Sequence, residues 1–269
     1  MTLFLFLYKP GFSQSERYLQ LADSADYYIK TEQWQKAETA IIEALRKEPA
    51  NFGNSLLFSN LGIVRENLDK DDEALEAFNL GISIAPNSTI LLNNRSRLLI
   101  KHNRLEEALD DLNKSLLLDS LQEWSLQIRG LLLTSLGKLQ EAESDYLKLL
   151  ELYPENSIAY AGIGGIAEIN GDFEKAIEYY KQGLEIKDDP DILSSLILLM
   201  IKKDNYNEAS QLIREGIKKN PQYADFYVWR GYLNVLNYRY EEARADKKLA
   251  EAYGADPVLI ESYIQLPRR

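Results

Sequence analysis

The chain has 269 residues, 45% hydrophobic and 27% charged, a globular balance with material for one large or two ordinary domains. Lys and Arg total 31 against 42 Asp and Glu, a net charge of −11, which weighs against a nucleic-acid partner because backbone phosphates are held by clustered Lys and Arg. Cysteine is absent, which excludes disulfides, thiolate metal ligands, a cysteine nucleophile and a lipid-modified cysteine anchor.

Residues 1–14, MTLFLFLYKPGFSQ, differ from everything after them. The apolar run Thr2–Tyr8 is far short of the roughly 20 residues that span a bilayer. It fits the apolar part of a secretory signal, and Gly11 and Ser13 are small residues spaced as a cleavage site needs. On that reading the protein is exported, periplasmic or envelope-associated, and its mature form begins at or near Gln14. No basic residue precedes the run and Lys9-Pro10 interrupts it, so a loose tail on a cytoplasmic protein is the alternative.

From Ser15 onward the chain repeats itself. Alanines following a Glu or Lys recur at Ala37, Ala74, Ala108, Ala142, Ala176, Ala209 and Ala243, spaced by 37 residues at the first step and by 33 or 34 thereafter. The long first step contains Asn51–Asn54, read as a loop insertion. Each repeat holds two helical patterns. In the fifth, Tyr160, Ile163, Gly164 and Ala167 share one face of a first helix, and Asn170-Gly171-Asp172 ends it and caps the next. Ala176, Tyr180 and Gly183 line the second helix. Pro49, Pro86, Pro154 and Pro221 stand twelve residues after their alanines, where proline stops the second helix.

These residues resemble the tetratricopeptide repeat family. The resemblance rests on small residues at the eighth position (Ala25, Gly62, Ser96, Gly130, Gly164, Gly231), alanine at the twentieth, a bulky residue at the twenty-fourth (Ile41, Phe78, Leu112, Tyr146, Tyr180, Ile213) and the closing proline. Ile197 and Leu149 depart from it at small positions, Lys247 at a bulky one. The resemblance implies an all-α, right-handed superhelical α-solenoid of about seven tandem helix-turn-helix repeats over residues 15–256. Residues 257–269 would form a short capping helix and tail, with Val258, Leu259, Tyr263 and Leu266 covering the open end.

The family's concave face is lined by the second, fifth, ninth and twelfth positions of the first helices. Carried over, this gives Asn93, Arg97, Ile100, Trp124, Gln127 and Leu131 in repeats three and four, and Ser194, Leu198, Ile201, Val228, Tyr232 and Val235 in repeats six and seven. The implied function is a non-catalytic scaffold binding a peptide or helix in that groove, with a structural accessory subunit of a larger, cell-envelope complex as the alternative. No first helix carries the Lys-x-x-x-Asn spacing with which some members grip a C-terminal carboxylate.

No catalytic, cofactor or metal residues are expected. His102, the single histidine, falls in a polar turn without a partner at useful spacing. The acidic run Asp69–Glu73 has Ala74 and Leu80 where a calcium loop needs Gly and Glu. The glycines of Ala161–Gly165 lack a following Lys-Ser/Thr and suit close helix packing. One charge pattern is informative. The seventh position is Arg95, Arg129 and Arg230 in three repeats, and the twenty-third position of the same three is Asp111, Asp145 and Asp246. Each pair is expected to bridge the two helices of its repeat, with loss of the aspartate alone the most damaging change.

Overall fold

The computed structural model describes residues 15–267; the signal expectation for residues 1–14 and the last two arginines lie outside them. The described residues form helices and turns only. The described residues fall into two compact bodies, divided between Ser125 and Leu126. The first contains α1 (Glu16–Lys30), α2 (Trp34–Lys47), α3 (Asn54–Glu66), α4 (Asp71–Ile84), α5 (Thr89–Lys101) and α6 (Leu105–Leu118). Helix α7 (Glu123–Ser135) begins at its end. The second continues with α8 (Leu139–Leu152), α9 (Ser157–Ile169), α10 (Phe173–Ile186), α11 (Pro190–Lys202), α12 (Tyr206–Lys219), α13 (Ala224–Leu236), α14 (Tyr240–Ala252) and α15 (Pro257–Tyr263). Odd-numbered helices through α13 are the first helices of seven repeats, and the fold class is an α-solenoid of tandem helix pairs.

Every hairpin turn places one residue in the left-handed region, the conformation that ends a helix and reverses the chain. The seven are Glu32, Asp69, Asn103, Gly137, Gly171, Asp204 and Tyr238. The acidic run that invited a calcium reading thus supplies the turn residue, Asp69, and the first residue of the next helix, Asp71. Asp172 caps α10 by accepting from the Lys175 amide, as its sequence position suggests.

Packing follows the small–bulky alternation. The Tyr146 ring lies against Gly130 of its own repeat and Gly162 of the next, where an added Cβ would stand 2.7 Å and 2.4 Å from ring carbons. The anchor alanines are completely buried. Each body has its own core: Tyr18, Leu21, Ile41, Leu57 and Val64 belong to one cluster, Ile197, Ile213, Phe226 and Trp229 to another.

Two expectations are corrected. Asn54 is not part of a loop insertion: it opens α3, is 1% exposed, accepts from the Tyr18 hydroxyl at 3.1 Å and donates to the Glu48 carbonyl at 2.7 Å. In the capping segment Val258 points outward at 70% exposure, while Ile260 and Ile264 are buried. Ile264 packs onto Gly231, within 2.6 Å of where a Cβ would be. It thereby fills the slot that a bulky twenty-fourth residue fills elsewhere and that Lys247 leaves vacant.

Candidate functional site

In the first body the first helices are joined side by side through polar side chains. Asn60 donates to Asp26 at 3.2 Å, linking α3 to α1, and Asn94 donates to Ser59 Oγ at 3.1 Å, linking α5 to α3. Ser125 donates to Asn93 Oδ1 at 3.1 Å, tying α7 to α5. These bonds join α1 to α3, α3 to α5, and α5 to the start of α7. The second position of each carries an exposed apolar residue: Leu19, Leu56, Ile90 and Trp124, at 44, 59, 57 and 37% exposure. Phe52 in the preceding loop is 88% exposed.

The expected groove residues separate into three groups. Trp124 and Leu131 are exposed, and Ile100 and Gln127 half-buried. Asn93 and Arg97 are already engaged. Asn93 donates to Gln122 Oε1 at 2.9 Å, and Gln122 Oε1 also accepts from Ser115 at 3.2 Å. Arg97 grips Glu66 with both Nη atoms, at 2.7 and 2.8 Å, while its side chain stays 46% exposed. In the second body Leu198, Tyr232 and Val235 are half-buried, Tyr232 standing edge-on to Tyr263. Ile201, Val228 and Ser194 are buried and cannot line an open groove. Tight inter-repeat packing in this apolar body covers them; Ser194 accepts from Trp229 Nε1 at 2.8 Å. Leu19, Leu56 and Ile90 were missed, although the same second-position rule that selected Trp124 selects them.

The three Arg–Asp pairs lie within their repeats as two-helix bridges. Arg95 reaches Asp111 at 2.7 and 2.6 Å, and Arg129 reaches Asp145 at the same two distances. Arg230 meets Asp246 at 3.0 and 2.6 Å, both bonds falling on one carboxylate oxygen; Asn234 donates to the other. The aspartate side chains are 4–6% exposed and the arginines 23–40%.

His102 is not solitary, since Asp71 of the preceding repeat lies 2.9 Å from its Nε2. Asp71 also holds Lys101 at 2.7 Å, and the Lys101 bond brings its carboxyl below the ordinary value despite desolvation. Asp225 is raised by burial and by the neighbouring Asp191 and Asp256 charges, against the Ser194 hydrogen bond. No group of three or more metal-ligating side chains occurs among the described residues, and no helix among them is long and apolar enough to cross a membrane.

Family models described as tetratricopeptide repeats match residues 129–191 and 167–230. A solved tetratricopeptide repeat protein from Parabacteroides merdae is 26% identical, with TM-score 0.79, covering 93% of this chain and 98% of its own. The type IV pilus biogenesis factor PilW is 20% identical, with TM-score 0.66, over 79% of this chain and 97% of its own. Among curated proteins, BBSome complex member bbs-4 of Caenorhabditis elegans is 23% identical over 188 residues, 70% of this chain and 40% of its own length. RNA polymerase II-associated protein 3 of Rattus norvegicus is 32% identical over 87 residues, 32% of this chain and 13% of its own. The chain therefore spans well under half the length of these curated relatives.

Proposed function

Since the chain is a tetratricopeptide repeat protein of about seven repeats, we propose that its protein-interaction scaffold works by holding a peptide or helix of a partner along the first helices, without catalysis. The observation that carries this reading is the row Leu19, Leu56, Ile90 and Trp124, four bulky apolar side chains left in water at one repeat position. Desolvating such side chains against a partner is favourable, about 1.5–3 kcal/mol for each one fully covered. Arg97 beside the row, held flat by Glu66 and half-exposed, offers a preorganised guanidinium to a carboxylate or carbonyl of the ligand. The net charge of −11 favours a protein over a nucleic acid.

Affinity capture with the intact protein, compared with a Trp124→Ala/Arg97→Glu variant, tests the reading. A specific partner retained by the first and lost by the second, with unchanged thermal melts, is expected. Equal capture by both would place binding elsewhere.

The accessory-subunit alternative, in a cell-envelope complex, draws on the apolar run Thr2–Tyr8, which would export the chain. N-terminal mass mapping of protein from its own cell should then find a first residue at or near Gln14. Intact Met1 in a cytoplasmic fraction would end that alternative and leave the scaffold untouched.

A further inference from the structure

Beside the apolar row, the first helices of the first body carry a second pattern. At i+4 and i+7 from the second position, on the same helix face, stand Asp23 and Asp26 on α1, Asn60 and Ile63 on α3, and Asn94 and Arg97 on α5. Asp23 and Asp26 are exposed, and among the described residues neither has an ion pair; Asp26 accepts only from the uncharged Asn60 amide. Lys30, one turn further along α1, is exposed and bonds to neither. Arg97, by contrast, is neutralised by Glu66 at 2.7 and 2.8 Å. The row therefore starts beside two carboxylates that no base neutralises, and passes a paired arginine at repeat three.

The spacing of the row narrows the choice of ligand. Packed helices lie about 8–10 Å apart, so the four side chains recur at about that step across α1, α3, α5 and the start of α7. Seven residues of a helix rise about 10.5 Å, whereas same-face residues of a strand recur at about 6.7 Å. A polyproline-type chain, at about 9.3 Å per turn, also matches the step but leaves its backbone groups to be bonded by the floor. That floor is already engaged: Asn60 donates to Asp26, Asn94 to Ser59, Asn93 to Gln122 and Ser125 to Asn93. A helix brings its backbone hydrogen bonds satisfied and asks the row only for apolar contact.

We propose that the row docks an amphipathic helix of a partner protein, apolar at every seventh residue and carrying Lys or Arg in the turn seated on repeat one. Its apolar residues meet Leu19, Leu56, Ile90 and Trp124 in order, and its cationic turn lies over Asp23 and Asp26. Its N-terminus is at repeat one, because the positive end of the helix dipole then faces the same two carboxylates. Four apolar residues at that interval need a helix of about 22 residues. Residues 1–14 are too short for it and are interrupted by Pro10. Among the described residues the longest helix, α1, has 15 residues, so a helix of a second copy is too short as well. The inference rests on the reading of the row given above and names the ligand for it.

The probe is a fluorescein-labelled, hydrocarbon-stapled peptide with leucine at every seventh residue and lysines in its first turn, titrated against the full chain. Saturable binding is expected, weakened about tenfold or more by Leu56→Glu/Ile90→Glu, exposed changes that should leave the thermal melt in place. Asp23→Lys/Asp26→Lys should weaken it about tenfold, with recovery when glutamates replace the peptide's lysines. A peptide of the same net charge with its lysines in the last turn should bind the parent chain less tightly; equal affinity overturns the proposed polarity. Equal affinity for a peptide broken by prolines makes the ligand extended and overturns the helix, and absence of saturable binding overturns the proposal outright. Tighter binding to a chain starting at Ser15 makes residues 1–14 the occupant, and self-association abolished by Leu56→Glu/Ile90→Glu makes a second copy the occupant; each also overturns it. If the peptide fails while partner capture still depends on Trp124 and Arg97, this inference falls and the reading of the row stands. If capture too is indifferent to Trp124 and Arg97, both fall.

Discussion

Removing Arg95 should destabilise the chain more than removing Asp111, the reverse of the order expected from sequence. The side chain of Asp111 is 5% exposed and its two oxygens are taken by Arg95 Nη2 and Nε at 2.6 and 2.7 Å. Arg95→Ala leaves that carboxylate dry and without its two charge-assisted bonds, which costs about 3–5 kcal/mol when a buried pair is broken. Asp111→Ala leaves a guanidinium that is 25% exposed and still bonded through Nη1 to Asn79 at 2.7 Å. Its long stem lets it turn to water, so the loss should be nearer ~1–2 kcal/mol. Arg95→Leu/Asp111→Leu reproduces the pair Leu196 and Leu212 of repeat six and should fall within about 1 kcal/mol of the parent. Urea unfolding followed by circular dichroism, with hydrogen exchange to localise the effect near α5 and α6, measures all of these. Asp111→Ala proving the harsher single change would refute the burial argument, and a double-mutant cycle without coupling would refute the partnership itself.

Two neighbouring glycines should behave oppositely. A Cβ at Gly164 would stand 2.7 Å from the Tyr180 ring, so Gly164→Ala should cost about 1–3 kcal/mol, whereas at Gly165 the nearest atom is the Tyr180 hydroxyl at 3.8 Å and Gly165→Ala should gain about 0.5–1 kcal/mol of helix propensity; thermal melts of both variants decide. Acid should loosen the junction of repeats one and two. Desolvation pushes the Glu38 carboxyl up, but hydrogen bonds from Lys70 and Arg65 outweigh it and hold it below its ordinary value of 4.5. Its stabilisation is therefore present above about pH 4.5 and lost as pH falls through the lower folded value, a slope that Glu38→Gln should flatten in a pH series of urea midpoints.

The repeat register was legible because one alanine per repeat must be small for two helices to touch, and that constraint recurs in sequence without interruption. The Arg–Asp bridges were legible for the same reason, as two positions within a single hairpin. What joins different repeats was not. Asp71 meets His102 across 31 residues, and no local spacing announces it. The left-handed turn residues were readable at Gly171 but not at Glu32 or Tyr238, where the turn forces a conformation that the side chain does not favour. Position numbers name the residues of the proposed groove, but they do not give burial: neighbouring repeats cover Ile201 and Val228, and burial is a property of the stack.

The Ile264 plug sets repeat seven apart from repeats that carry their own filling. Phe78 sits against Gly62 and Tyr180 against Gly164, each hole and its filling lying within one repeat. A repeat of that kind carries this hole and its filling together wherever it stands in the array. Repeat seven does not, because its hole at Gly231 is in α13 and its filling comes from beyond α14. A crossover at Asp256 would part the two and leave an apolar void in one product and a bare isoleucine in the other. Residues 224–264 therefore pack as one unit, whose hole and filling are parted by any break between them.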